Sequence, residues 1–118
     1  MNLTAEEKSF AFAVRIVKLC NYLTENKNAY TLAKQLLRAG TSIGANLAES
    51  QQAQSRPDFI HKLSIALKEA SETNYWLRLL HATDYLNDNE YQSIICDCQE
   101  LEKMLTSIIK SAKSTDPS

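Results

Sequence analysis

Apolar residues recur along this chain at three- and four-residue intervals, and strict apolar/polar alternation is missing. That period is the signature of amphipathic helices rather than half-buried strands. The first stripe is Phe12, Ile16, Leu19 and Leu23, preceded by Thr4 with Glu7 three residues on. Such a pair predicts a capping box, in which each side chain satisfies a backbone N–H that the first helical turn leaves free. Asn26, Lys27 and Asn28 read as the first turn. A second helix is predicted from about Tyr30 to about Gln52, with Leu32, Leu36, Ile43 and Leu47 facing inward and Ala39 and Gly40 filling the gap. Ser55-Arg56-Pro57-Asp58 announces the third, because serine caps, proline suits the first turn and an aspartate favours the positive end of the helix dipole.

Phe59, Leu63, Ala66, Ala70, Thr73, Leu77 and Leu80 then alternate in steps of four and three, the pattern of a bundle seam. The fourth helix carries Tyr91, Ile94, Ile95, Cys98, Leu101, Leu105 and Ile108, begun by Asn87 with Glu90 or by Asp88 with Tyr91. Residues 114–118 are expected to fray as a C-terminal tail. Only two glycines and two prolines occur in the whole chain, which disfavours a sheet with many tight turns. Helices of this length with short connections predict an all-α fold, an antiparallel up-down-up-down four-helix bundle in one domain over residues 1–113.

Two features go beyond the bundle itself. Gly40 and Gly44 sit inside the second helix, where each costs about 1 kcal/mol relative to alanine. With Ala48 one turn further, they form a small-residue strip suited to close helix packing. On the third helix, Ile65, Trp76 and Leu79 lie roughly 100–150° from the seam, counting about 100° per residue. A flank that an isolated bundle keeps polar is apolar here, which points to a subunit interface anchored by Trp76. A wide core stripe with scattered surface apolars fits the same pattern.

Composition adds bounds. A chain of 118 residues holds one domain and buries enough surface to need no metal or disulfide staple. The net charge of −1 speaks against a uniformly basic nucleic-acid binder, yet residues 26–81 carry a net of +3 and residues 82–118 a net of −4. Opposite faces of this kind favour ordered contacts between copies or an anionic partner on one side; two solvated helix faces would give the same count. Cys20, Cys96 and Cys98 are odd in number and lack a C-x-x-C, so buried or half-buried thiols in a reducing compartment are expected. No stretch approaches ~18 uninterrupted apolar residues and no basic region precedes an apolar run, so the expectation is a cytoplasmic protein with no membrane contact.

Catalytic and metal motifs do not hold up. Gly40-Thr41-Ser42-Ile43-Gly44 matches G-x-S-x-G, but a nucleophile elbow needs a strand before it, and both flanks here are helical. The same glycines fit G-x-x-x-G outside any membrane span. No Glu is followed three positions later by His, the ligand pair of a di-metal bundle. His61 and His81 lack a ligand partner at helical spacing, and no phosphate loop or dinucleotide fingerprint is present, so neither cofactor nor metal is expected. What remains is a polar set: Arg38, Ser42, Ala45 and Glu49 on one face of the second helix, and Lys62, Glu69 and Glu72 on one flank of the third. Its opposite charges are placed to pair between helices or between subunits, and ordinary surface charge has the same spacing.

The stretch from Leu37 to Glu49, LRAGTSIGANLAE, resembles the signature of the 23S rRNA intervening-sequence proteins, or S23 family. So does Asp58 to Ala70, DFIHKLSIALKEA, followed by Glu72-Thr73 and Trp76-Leu77. The resemblance implies a bundle that assembles into a homopentameric ring, kin to the nucleic-acid-binding accessory protein of diversity-generating retroelements. Those accessory proteins are strongly basic, whereas this chain is near neutral. The functional expectation is a non-enzymatic, self-assembling scaffold for RNA or an RNA-handling protein; the alternative is a protein-binding structural oligomer without nucleic-acid contact.

Overall fold

Thr4 and Glu7 make both halves of the predicted box: the Glu7 N–H donates to the Thr4 hydroxyl at 3.1 Å, and the Thr4 N–H donates to the Glu7 carboxylate at 3.0 Å. They open the first of four helices in a computed structural model that describes residues 3–114: α1 (Ala5–Lys27), α2 (Tyr30–Ser50), α3 (Arg56–Ala82) and α4 (Asp88–Ser114). Asn28 ends α1 in the left-handed region at φ 54°, and Asp84 does the same after α3 at φ 67°. Asn and Asp tolerate that conformation better than other side chains, which lets the chain reverse without glycine. The Ser55 hydroxyl accepts from the Asp58 N–H at 3.2 Å to start α3. Asn87 and Glu90 exchange backbone-to-side-chain bonds, both at 2.8 Å, to start α4. Three boundaries differ from the sequence reading. Helix α1 continues through Asn26 and Lys27, so that of the expected turn only Asn28 caps it. Helix α2 stops at Ser50 rather than Gln52. Ser114 closes α4 instead of opening a tail, and the rest of the expected tail, 115–118, lies outside the described residues, as do residues 1 and 2.

The topology can be read from side-chain pairs. Glu49 on α2 meets Lys62 on α3, while Arg38 on α2 meets Glu69 and Glu72. Partner numbers fall along α3 as they rise along α2, so the two run antiparallel. Lys8 with Glu100, and Arg15 with Asp97, place α1 antiparallel to α4 in the same way. Gly40 against Ile16 and Gly44 against Ser9 set α1 antiparallel to α2 as well, and the result is the up-down-up-down bundle, 52 Å along its longest axis. Its core holds Phe12, Ile16 and Leu23 of α1, Leu36, Ile43 and Leu47 of α2, Leu63, Leu77 and Leu80 of α3, and Leu101 and Leu105 of α4.

The seams shift by one position in places. Cys20 and Ala33 are buried where Leu19 and Leu32 were expected, and those leucines pack on the core's edge. In α4, Ile109 is buried and Ile108 sits at the edge. Leu86, in the α3–α4 connection, is also buried. Of the buried polar side chains, the Thr73 hydroxyl donates to the Glu69 carbonyl at 2.7 Å and that of Ser9 to the Glu6 carbonyl at 2.9 Å, so neither enters the core unpaired.

Candidate functional site

The charged residues singled out in the sequence come together along the α2–α3 seam. Arg38 donates through Nη1 to Glu69 at 3.1 Å and through Nη2 to Glu72. The hydrogen bond to Glu72 is the largest influence holding the Arg38 guanidinium in its charged form, and the nearby charges of both glutamates act in the same direction. Three turns further along α2, Lys62 Nζ donates to Glu49 at 3.1 Å. The five side chains therefore form two interhelical ion-pair sets within one chain, three carboxylates facing two cations. Phosphate contact needs cations whose charge is available, and here both are compensated.

The small-residue strip splits into three environments. Gly40 is buried against Ile16, Gly44 is half-buried against Ser9, and Ala48 is exposed. Close approach of α1 to α2 thus occurs at the glycines, and Ala48 lies beyond it on the rim of a groove. On α3, Ile65, Trp76 and Leu79 are each half-buried. Trp76 packs against the core and meets Tyr75 edge-on, its buried Nε1 having no hydrogen-bond partner among the described residues.

The sequence reading passed over a more exposed apolar surface. Phe10 is 72% exposed, Val14 41% and Val17 42%, all on α1, and Leu37 on α2 is 38% exposed. From Phe10 to Val17 every exposed position of α1 is apolar, namely Phe10, Ala11, Val14 and Val17. These residues lie roughly 120–180° from the buried stripe, counting about 100° per residue. The signal was present as a second 4-3 series, Phe10-Val14-Val17, offset from the core series. Beside it, a groove of about 300 Å³ between α1 and α2 is lined by Glu6, Ser9, Phe10, Ala13, Thr41, Gly44, Ala45 and Ala48.

The residues weighed for chemistry are occupied otherwise. Ser42 lies inside α2, and its hydroxyl donates to the Arg38 carbonyl at 2.6 Å. His81 Nε2 is 2.7 Å from Asp88 Oδ1, and its ring stacks on Tyr91; His61 is exposed. Burial pushes the Cys20 thiol up to about 11 and that of Cys98 up to about 12, the latter helped by Glu102 and Asp97. Cys96, by contrast, is exposed, which corrects the expectation that all the thiols are at least half-buried. Among the described residues no group of His, Cys, Asp and Glu is placed to hold a metal ion, and no helix is long and apolar enough to cross a membrane.

Fold and surface define an all-α bundle protein with Arg38 and Lys62 held in interhelical ion pairs and an apolar outer face on α1 and α2. The profile of the 23S rRNA-intervening sequence proteins matches residues 1–107, and the chain belongs to that family. It is similar to a crystal structure of a protein of unknown function from the S23 ribosomal protein family of Bacteroides thetaiotaomicron. The two share 54% identity over 91% of this chain and 99% of the other, with a TM-score of 0.90. No curated protein matches the chain.

Proposed function

We propose that this chain is a non-enzymatic, self-assembling scaffold of the cytoplasm that docks RNA or an RNA-handling protein. The observation that carries the reading is the run of α1 from Phe10 to Val17, whose exposed positions are all apolar. Scattered surface apolars are ordinary, but a continuous apolar face on a bundle with a filled core is a surface for another protein. The non-enzymatic part rests on how the candidate groups are spent: Ser42 on a helix carbonyl, and Glu69 and Glu72 on Arg38. Three unpaired thiols suit a reducing compartment.

A second reading, a structural oligomer with no nucleic-acid contact, is favoured by the ion pairs that occupy Arg38 and Lys62. Retention of large-subunit rRNA fragments by the immobilised protein, followed across a salt gradient, separates the two. RNA held through phosphates is released as salt rises; no retention at low salt selects the second reading. If Arg38→Glu with Lys62→Glu abolishes retention, those residues make the contact, and unchanged retention moves the contact to other cations.

A further inference from the structure

We infer that the outer face of α3 holds single-stranded RNA, with a base stacked on Tyr75 and phosphates on Lys68 and Arg78. This rests on the RNA reading above and gives it a surface other than Arg38 and Lys62, whose charges are already paired. Between them, the exposed positions of α3 from His61 onward to Arg78 are His61, Ser64, Lys68, Ser71, Tyr75 and Arg78. They follow the three-four spacing of a single helical stripe, about 25 Å long. In a chain of net charge −1, that stripe contains no carboxylate. The acidic residues beside it are engaged. Glu69 and Glu72 accept from Arg38, and Glu102 of α4 accepts from Asn74 at 3.0 Å and from Ser71 at 3.4 Å. Among the described residues no carboxylate is ion-paired with Lys68 or Arg78. Their charge is therefore available to a phosphate in the way that of Arg38 is not.

Three features select an unpaired strand of RNA. Tyr75 is 49% exposed, and a single ring on a convex helix reaches only a base that is not already stacked inside a duplex. The Arg78 guanidinium lies over that ring, 5.8 Å from its centroid, and its Nε donates to Asn74 at 2.9 Å. Asn74 is itself held by Glu102, so aromatic and cation are arranged before any strand arrives. Lys68 stands two turns from Tyr75, about 10 Å along the axis, within reach of the backbone of a strand stacked there. Ser64 spends its proton on the Ile60 carbonyl at 2.9 Å, which leaves its oxygen to accept from a ribose 2′-hydroxyl, the group that separates RNA from DNA.

Fluorescence anisotropy of a short fluorescein-labelled RNA of unpaired sequence, titrated with the full chain at low and then rising salt, tests this. Circular dichroism first verifies that each variant retains its helices, and the double variant below carries the test should Tyr75→Ala fail to fold. Tyr75→Ala is expected to weaken binding roughly 10-fold, and Tyr75→Phe, which keeps the ring, to match the wild type. Lys68→Gln with Arg78→Gln is expected to weaken it as well and to flatten its salt dependence, by about 0.7 in the log–log slope for each phosphate contact removed. The same RNA annealed to its complement, and DNA of the same sequence, are expected to bind more weakly. Binding that neither Tyr75→Ala nor the double variant changes overturns the surface and leaves RNA docking standing. Equal or tighter binding of the duplex overturns the stacking on Tyr75, and equal binding of the DNA overturns the choice of RNA. A wild type that binds no RNA at low salt overturns the RNA reading itself.

Discussion

Gly40 of α2 lies so close to Ile16 of α1 that a β-carbon on the glycine would come within 2.8 Å of Ile16 Cγ2 and 2.9 Å of Cγ1. Ile16 is completely buried, and a β-branched side chain is stiff at χ1, so it has nowhere to retreat. Alanine gains about 1 kcal/mol in helix propensity, but overpacking a filled core costs typically about 1–3 kcal/mol. Gly40→Ala should therefore lower the urea midpoint. At Gly44 the nearest atom is Ser9 Oγ at 3.2 Å, and the rest of the Ser9 contact is ordinary at 3.5 Å. Gly44→Ala should be the milder substitution, with a midpoint close to wild type.

The buried thiols make stability depend on alkaline pH. Cys20 and Cys98 are held protonated in the folded chain up to about 11 and about 12, and unfolding returns them to the ordinary thiol range. A group whose folded value is raised contributes fully below its unfolded value, and the contribution fades as pH climbs toward the folded one. Urea midpoints should hold to about pH 8 and fall above about pH 9. Cys98→Ala should flatten that fall, although its cavity lowers stability at every pH.

Thiol labelling reports the same difference in environment. At pH 8 the native protein should react with a disulfide reagent at one thiol, the exposed Cys96, and at all three once unfolded. Mass spectrometry of the labelled chain checks the site. Rapid reaction of Cys20 in the native state would show that the α1–α2 seam opens readily.

Arg38 is half exposed, at 50%, so its two ion pairs are screened by solvent. Arg38→Gln should cost no more than about 1 kcal/mol, and the cost should shrink as salt is added. Chemical denaturation in urea at low and high ionic strength measures it.

The start of α1 depends on a hydroxyl. Thr4→Ala removes the acceptor for the Glu7 N–H and should destabilise the chain by about 1 kcal/mol. Hydrogen bonds from the Thr4 backbone and then its side chain hold the Glu7 carboxyl below its usual range. A lowered carboxylate contributes above its unfolded value and loses that contribution as pH falls through its folded one. The Thr4→Ala penalty should therefore be smaller at pH 2 than at pH 7, which thermal melts at the two pH values would show.

Much of this was legible in the sequence because the signals are local or periodic. Thr4 with Glu7, Ser55 with Pro57 and Asp58, and Asn87 with Glu90 mark helix starts that the structure has, and the seam of α3 appears almost residue for residue. Boundaries between core and edge were harder. Leu19 and Cys20 are neighbours about 100° apart on a helix, and only the rotation of α1 against its partners decides which is inward. The pairing of Arg38 with Glu69 and Glu72 depended on the relative slide of α2 and α3, which periodicity does not supply. The outer face of α1 was overlooked for a different reason: the series Phe10, Val14 and Val17 runs beside that of Phe12 and Ile16, and only the burial of the latter pair shows that the former faces outward.

The most direct test of the central claim is the mass of the wild-type chain in solution, measured by light scattering at micromolar concentration. Self-assembly through the apolar face predicts a mass well above the 13.3 kDa of one chain, near five subunits if the ring implied by the family resemblance forms. A mass of one chain across the concentration range would contradict it.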